Sequence, residues 1–278
     1  MEGVPASLDL PRSVILALWL QGGAPDVARV VGDDEPHGVA GGRYDGLGAL
    51  LAGLGGRGAV TAVLPAPGDP LVGPRDAVAA GECVLVHDDA AGTDLAIVPE
   101  IHRFGSVLEP GATVVWHTHE VEDWRTAFQA AVGSLDDAER GLREGLVLAT
   151  QALVQLDVAR WRPDAAERIV TIRDGALPTA RLPRELAGSP QRVRVLQQAA
   201  RLRAIVELAA QDEGGAVNLW QSDQRSAALR EVDRLARRAM SAASARLDGA
   251  EARGAEAPGD DAEPRRRQEQ ERRGGAGA

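Results

Sequence analysis

The sequence predicts an α/β fold, a mixed small sheet with flanking helices, followed by an all-α helical bundle domain. Three observations predict it. Short apolar runs bounded by turn residues crowd the first 125 residues and alternate with helical stripes. Beyond residue 125 the apolar residues recur at helical spacing almost throughout. From residue 248 the periodicity stops and Gly, Ala, Glu and Arg take over. The expected organisation is a small α/β domain over 1–125, a helical domain over 134–247 and a disordered tail over 248–278.

Taken in order, Pro11 at a first-turn position and the apolar run 14–20 predict an opening helix, stopped by Gly22 and Gly23. Pro25 starts a short second helix through Val31, the acidic stretch 33–35 reads as a loop, and a short strand follows over 37–40. Leu47, Leu50, Leu51 and Leu54 lie at i, i+3, i+4 and i+7, with Gly55 as the C-cap glycine. Residues 59–64 read as a buried strand. Pro65-Ala66-Pro67-Gly68-Asp69-Pro70 is a stiff loop, because proline has no N–H for a ladder. Pro74 opens a short helix that Gly81 closes. Residues 83–86 and 95–98 form a hairpin turned by 88–92, and Pro110-Gly111 leads into a strand over 113–118.

Ser134 and Asp137 resemble a capping box, after which Leu135, Leu142, Leu146, Ala149, Leu153 and Leu156 make one apolar face. Pro163 ends that helix and starts another, carrying Ile169, Val170 and Ile172 and stopping near Gly175. A linker with Pro178 and Pro183 leads to Ser189-Pro190, an N-cap with a first-turn proline. Val195, Leu202, Ile205, Val206 and Leu208 continue that helix, and a last one includes Leu219, Leu229, Val232, Leu235 and Ala239. Four such helices must bury their faces on one another or on the α/β part.

Hydrophobic residues make up 44% of the chain, enough for a packed core, while aromatics are only 3%, so that core is Leu, Val and Ala. All 31 basic residues are arginine. Without lysine, P-loop and Schiff-base chemistry are excluded, and no cofactor is expected. The net charge of −10 argues against nucleic acid as a partner. The charge is uneven: residues 1–145 carry 22 acids and 9 arginines, and residues 181–247 carry 7 acids and 12 arginines. Mutual attraction of the two parts is the plainer explanation. The single cysteine, Cys83, lies in an apolar run and reads as a buried thiol. The run 14–20 is too short to span a membrane and lacks a signal-peptide n-region, so the protein is expected in the cytoplasm.

Candidate sites are few. Gly53-Leu54-Gly55-Gly56-Arg57-Gly58 matches G-x-G-x-x-G by letter, but a helix precedes it and a strand follows, the reverse of what a pyrophosphate needs. His117 and His119 lie at i and i+2 on a strand and face one side, weak candidates for metal ligands. Their spacing from Gly111 resembles the first half of the cupin metal motif. The likeness fails where that family's glutamate should follow, since Asp123 or Trp124 stands there, and no second motif exists. Asp69, in the stiff loop at the end of a strand, is a candidate ligand or partner contact. So are Arg160 and Trp161, at a corner between two helices where the indole could equally be packing. There is no G-x-S-x-G elbow and no evident base for Ser106 or Ser134. The arginine-rich helices raise helix-turn-helix DNA binding, but their apolar faces are continuous and no tight turn with a short recognition helix is visible.

Leu64-Pro65-Ala66-Pro67-Gly68-Asp69-Pro70 with Ala80-Gly81-Glu82, Gly32-Asp33-Asp34-Glu35-Pro36-His37, and Asp157-Val158-Ala159-Arg160-Trp161-Arg162-Pro163 resemble a family of proteins from high-GC Gram-positive bacteria with no assigned activity. The likeness spans most of residues 10–245. It implies a bacterial cytosolic setting and carries over no site residue.

The leading expectation is a non-enzymatic interaction or regulatory protein, with another protein as a possible partner. The alternatives are a small-molecule binder or metal-dependent enzyme using the Asp69 loop and the His117/His119 strand, and DNA binding through the helical half. The oligomeric state stays open. Deleting residues 248–278 is expected to leave Tm nearly unchanged in a thermal melt, and a large drop would show that the tail docks on the fold.

Overall fold

A helix with no charge between Arg12 and its last residue is stable in water only when wrapped on every side. In a computed structural model, which describes residues 7–22, 26–32, 36–70, 72–106, 109–155, 163–210 and 219–247, this is how α1 (Arg12–Gln21) sits, with every residue from 13 to 20 buried. The elements that follow are α2 (Val27–Val31), β1 (His37–Ala40), α3 (Leu47–Leu54), β2 (Val60–Val63), α4 (Asp76–Ala80), β3 (Cys83–Asp88), β4 (Thr93–Gly105) and β5 (Pro110–Val121). The helical half contains α5 (Arg125–Val132), α6 (Leu135–Gln155), α7 (Pro163–Asp174), α8 (Pro190–Ala210) and α9 (Leu219–Ala243), with short 3-10 turns at Thr179–Arg181 and Arg184–Gly188.

The strands form one mixed sheet in the order β1-β5-β4-β3-β2, antiparallel except where β1 runs parallel to β5. The 88–92 turn is held by the Asp88 carboxylate, which accepts from the N–H groups of Ala90 and Ala91 at 3.0 and 3.3 Å. Gly92 completes the turn at φ +64°. The glycine after α3 is the expected C-cap. Gly55 caps the helix but keeps φ −59°. A side chain there would meet the carbonyl oxygens of Leu51 and Gly22, so close approach demands the glycine. Gly56, at φ +72°, takes the left-handed turn instead.

The helices do not stand apart from the sheet. β2 is an edge strand with all four residues buried, and a buried edge must find partners for its outward backbone groups. The segment after α9 supplies them. Val60 and Arg246 exchange both backbone hydrogen bonds at 2.7 and 2.8 Å. The Ala62 N–H donates to Ser244 Oγ at 3.1 Å, and the Thr61 hydroxyl donates to the Ser241 carbonyl at 3.1 Å. One buried core accordingly runs from Leu8 through the sheet to Ala243, and residues 1–247 cluster as a single compact unit.

Within the helical half, Ser134 and Asp137 form the expected reciprocal cap. The Asp137 N–H donates to Ser134 Oγ at 3.1 Å, and the Ser134 N–H and hydroxyl donate to Asp137 Oδ2 at 3.2 and 2.7 Å. The apolar face of α6 differs from the predicted stripe. Leu142 is buried, but Leu146 is 47% exposed. The contact is made instead by Gly141 and Gly145, whose missing side chains admit Leu235 of α9. On α9, Val232, Ala236, Ala239, Met240 and Ala243 are fully buried at helical spacing.

Arginines close many helix ends. Arg181 donates to the carbonyls of Val30 and Val31 at the end of α2 at 2.8 and 3.3 Å. Arg192 donates to Ala243 at the end of α9 at 2.7 Å. Arg201 donates to Gly175 after α7 at 3.1 Å. Arg246 donates to Gln21 at the end of α1 and to Gly58 at 2.6 Å. The last four carbonyls of a helix lack partners of their own and carry partial negative charge, so a cation is favourable there.

Ser244→Ala leaves the Ala62 N–H buried without an acceptor and is expected to cost about 1–3 kcal/mol, read from urea denaturation. The Asp137 carboxyl is held down to about 2 by the Ser134 hydroxyl first and Arg140 second. Ser134→Ala should move its NMR titration midpoint up toward 3.8, and an unmoved midpoint would remove the hydroxyl as the cause.

Candidate functional site

Alternation along β5 puts His117 and His119 on one face, and the antiparallel register sets Val98 opposite His117, Ala96 opposite His119 and Glu100 opposite Val115. This stretch of sheet forms one wall of a 760 Å³ cleft. The remaining walls are the segment entering α1 (Asp9 to Arg12), α4 with the turn after it, and the middle of α8 at Ala200, Arg203, Ala204 and Glu207. The cleft thus gathers residues from nearly the whole length of the folded chain.

Its polar groups come in matched pairs. Glu100 spans two imidazoles, with His117 Nε2 at 2.9 Å from one carboxylate oxygen and His102 Nε2 at 3.2 Å from the other. The hydrogen bond to His117, then the charge of His102, lowers the Glu100 pKa. His119 Nε2 lies 3.0 Å from Asp76 Oδ2. The two candidate histidines therefore attach to different carboxylates. Among the described residues no group of three or more His, Cys, Asp or Glu is placed to hold a metal ion.

Glu82, on the turn between α4 and β3, is the buried member. Its Oε2 accepts the Ser13 N–H at 2.8 Å, a cap for α1 that Pro11 cannot supply from its own side chain. Burial raises its pKa, against the opposing effects of Ser13, Arg12 and Arg203. Cys83 beside it is fully buried, and burial raises the thiol pKa so far that it stays protonated. A thiol in that state is no nucleophile.

Asp69 stands elsewhere. Its carboxylate accepts from the Ala66 N–H at 3.0 Å and pairs with Arg237 of α9. Arg237 also donates to Asp233 at 2.6 Å and to the Leu64 carbonyl at 2.7 Å. The loop is thereby fixed to the last helix, and a separate crevice of 260 Å³ lies beside it. Arg160 and Trp161 lie outside the described residues. The G-x-G-x-x-G letters are packing constraints: a side chain on Gly53 would strike the Tyr44 ring, and one on Gly58 the His87 carbonyl.

Arg12, Asp76, Glu82, Glu100 and Arg203 were not singled out from the sequence. Glu82 had a signal, being a lone acid directly before an apolar strand. Glu100 becomes meaningful only through the hairpin register, and Arg203 only through the position of α8.

Comparison with known proteins gives two family matches. The model described as Rv1486c-like protein, N-terminal domain, matches residues 13–130, and the model described as Rv1486c-like protein, C-terminal domain, matches residues 136–241. No curated protein and no solved structure matches the chain.

A carboxyl whose folded pKa lies above its unfolded value, here near 4.5, contributes most to stability below that value and loses the contribution as pH rises through the folded one. Glu82→Gln keeps an acceptor for the Ser13 N–H and cannot ionise. It is expected to flatten the fall in stability that sets in as pH rises above about 4.5, measured by urea denaturation. Identical slopes for variant and wild type would show that Glu82 ionises as freely folded as unfolded.

Proposed function

We propose, for a chain that carries both domains of the Rv1486c-like proteins and so belongs to that family, a non-enzymatic regulatory role exerted by binding a polar small molecule in the cleft. The observation that carries this is the placement of the cleft. The β4–β5 face and α4 belong to the stretch matched by the N-terminal domain, and Arg203 and Glu207 of α8 to the stretch matched by the C-terminal domain. A ligand seated there touches both and changes how firmly they hold together, as ligands between two parts of a fold commonly do.

The side chains favour recognition over chemistry. Asp76 and Glu100 bring negative charge to the lining and Arg12 and Arg203 positive charge, with Arg203 already 3.7 Å from Glu207 and 3.5 Å from Asp233. The nearest thiol is fully buried, and among the described residues no group of three or more His, Cys, Asp or Glu is placed to hold a metal ion. A molecule bearing both signs of charge suits this lining. The volume of 760 Å³ falls in the range of small-molecule pockets. DNA binding through the helical half loses ground, because Arg192, Arg201, Arg237 and Arg246 donate to carbonyls of their own chain.

A protein partner is supported by a different observation. Beyond the register shared with β1 and β3, the ends of β4 and β5 pair only with each other. Phe104 sits on this two-stranded ribbon 50% exposed.

The test is native mass spectrometry of the protein purified from its own host without dialysis, with elemental analysis of the same sample. A stoichiometric small-molecule adduct in the wild type, lost in the Asp76→Asn/Glu100→Gln double variant, is the expected result. An adduct that survives the double variant sinks the cleft assignment, and a stoichiometric metal overturns the non-enzymatic reading. For the ribbon, affinity purification should capture a partner with the wild type and lose it with Phe104→Ser; capture by both, or by neither, removes that reading.

A further inference from the structure

We infer that the crevice between the 65–72 loop and α9 is a second binding site, built for a small amphipathic carboxylate. The crevice lies at the end of β2, where the chain leaves the sheet through the proline-rich loop. Val63, Pro65, Pro70, Val72 and Ala131 make an apolar wall, with Asp69 and Ser241 as the polar side chains beside the arginines. Its other end gathers three arginines within about one turn of α9, Arg234, Arg237 and Arg238, beside Asp69.

The three arginines are not equivalent. Arg237 is consumed by Asp69, Asp233 and the Leu64 carbonyl. Arg234 makes a two-pronged pair with Glu231, with contacts of 2.8 and 2.5 Å. Arg238 has no carboxylate within ion-pair distance among the described residues. Its hydrogen bond goes to the Val132 carbonyl at 3.3 Å, the last residue of α5. A guanidinium has five N–H donors, so most of this one remains available. Arg238 also lines an adjoining cavity of 230 Å³, together with Arg234 and Val132. That second cavity holds Asp137, Glu144 and Glu231 with Arg140, whereas the carboxylate in the crevice, Asp69, is already paired with Arg237.

The occupant follows from these facts. Its charged end must be a planar anion able to use the guanidinium fork. Its remainder is apolar, to match Val63, Pro65, Pro70, Val72 and Ala131, while the Asp69 carboxylate in the same lining is held by Arg237 and the Ala66 N–H. Its size is below that of a typical drug-like ligand, for which pockets start near ~300 Å³. A monocarboxylate on a short alkyl chain meets all three conditions. Asp69 acts here as a positioning residue, because it holds Arg237 and the loop in place and leaves Arg238 as the open donor. This site does not rest on the cleft reading.

The experiment is isothermal titration of the full chain with hexanoate, hexanol and inorganic phosphate as separate probes. Saturable one-to-one binding of hexanoate is expected, with hexanol and phosphate each weaker by at least about tenfold, the loss of one charge-assisted contact or of the buried tail. Arg238→Gln should weaken hexanoate by a similar factor with an unchanged circular-dichroism melt, and Asp76→Asn/Glu100→Gln in the cleft should leave it unaltered. Hexanol binding as tightly as hexanoate would reduce the crevice to an apolar dent, and equal binding of phosphate would reduce it to general attraction by arginines. Unchanged affinity in Arg238→Gln, or a loss caused by the cleft variant, would overturn the assignment. If Arg238→Gln fails to fold, the wild-type preference for hexanoate over hexanol and phosphate decides the matter.

Discussion

A strand buried on both faces and standing at the edge of its sheet cannot leave its outer N–H and C=O groups bare. In this protein that constraint falls on β2, and the answer comes from Ser244 and Arg246. Everything in the helical half is placed by that answer. Because the end of α9 must reach β2, α9 lies beside the sheet, Arg237 meets Asp69, and α6 closes on α9 through Gly141 and Gly145. α8 packs on α9 in turn and brings Arg203 and Glu207 to the cleft that faces His117 and His119. The cleft is thus a by-product of sealing an edge some distance away.

Arginine performs a second task throughout the molecule. Carbonyls at the ends of α1, α2, α5 and α9 each accept from a guanidinium belonging to a distant stretch of chain. A guanidinium can bridge two acceptors at once while its stem lies against apolar surface. An ammonium would offer the charge without the planar fork. The absence of lysine is a property of the whole sequence, yet the fold has absorbed it as a structural habit, and the positive excess of residues 181–247 is largely spent inside the molecule.

Most elements were legible because their signals are local. The run 14–20, the Leu47–Leu54 stripe, the 88–92 turn and the Ser134–Asp137 cap each rest on a few neighbouring residues, and each forms where expected. The misreadings arise where tertiary contact decides. Leu146 fits a helical stripe but points away, since glycines carry the contact with α9. Gly55 is the expected C-cap, but what requires a glycine there is proximity to two carbonyls, which only the fold reveals. The helices were expected to bury their faces on one another or on the α/β part, and nothing local announces that Ser244 and Arg246 bond to β2. The cleft was half legible. The histidine pair shows in the alternation of β5, while Glu100 depends on strand register and Asp76 on how α4 folds back.

The bond between Val60 and Arg246 also has a bearing on how the protein is made. A ribosome delivers β2 early and its outer partner some 180 residues later. At typical synthesis speeds of about 5–20 residues per second, the strand waits on the order of ten seconds with one side open. Its neighbours β3, β4 and β5 emerge during that interval and assemble into a sheet whose rim is apolar and adhesive. An open edge of that kind is a template on which another copy's strand can pair, so the closing of β2 by the segment after α9 is also what removes that hazard from the finished fold.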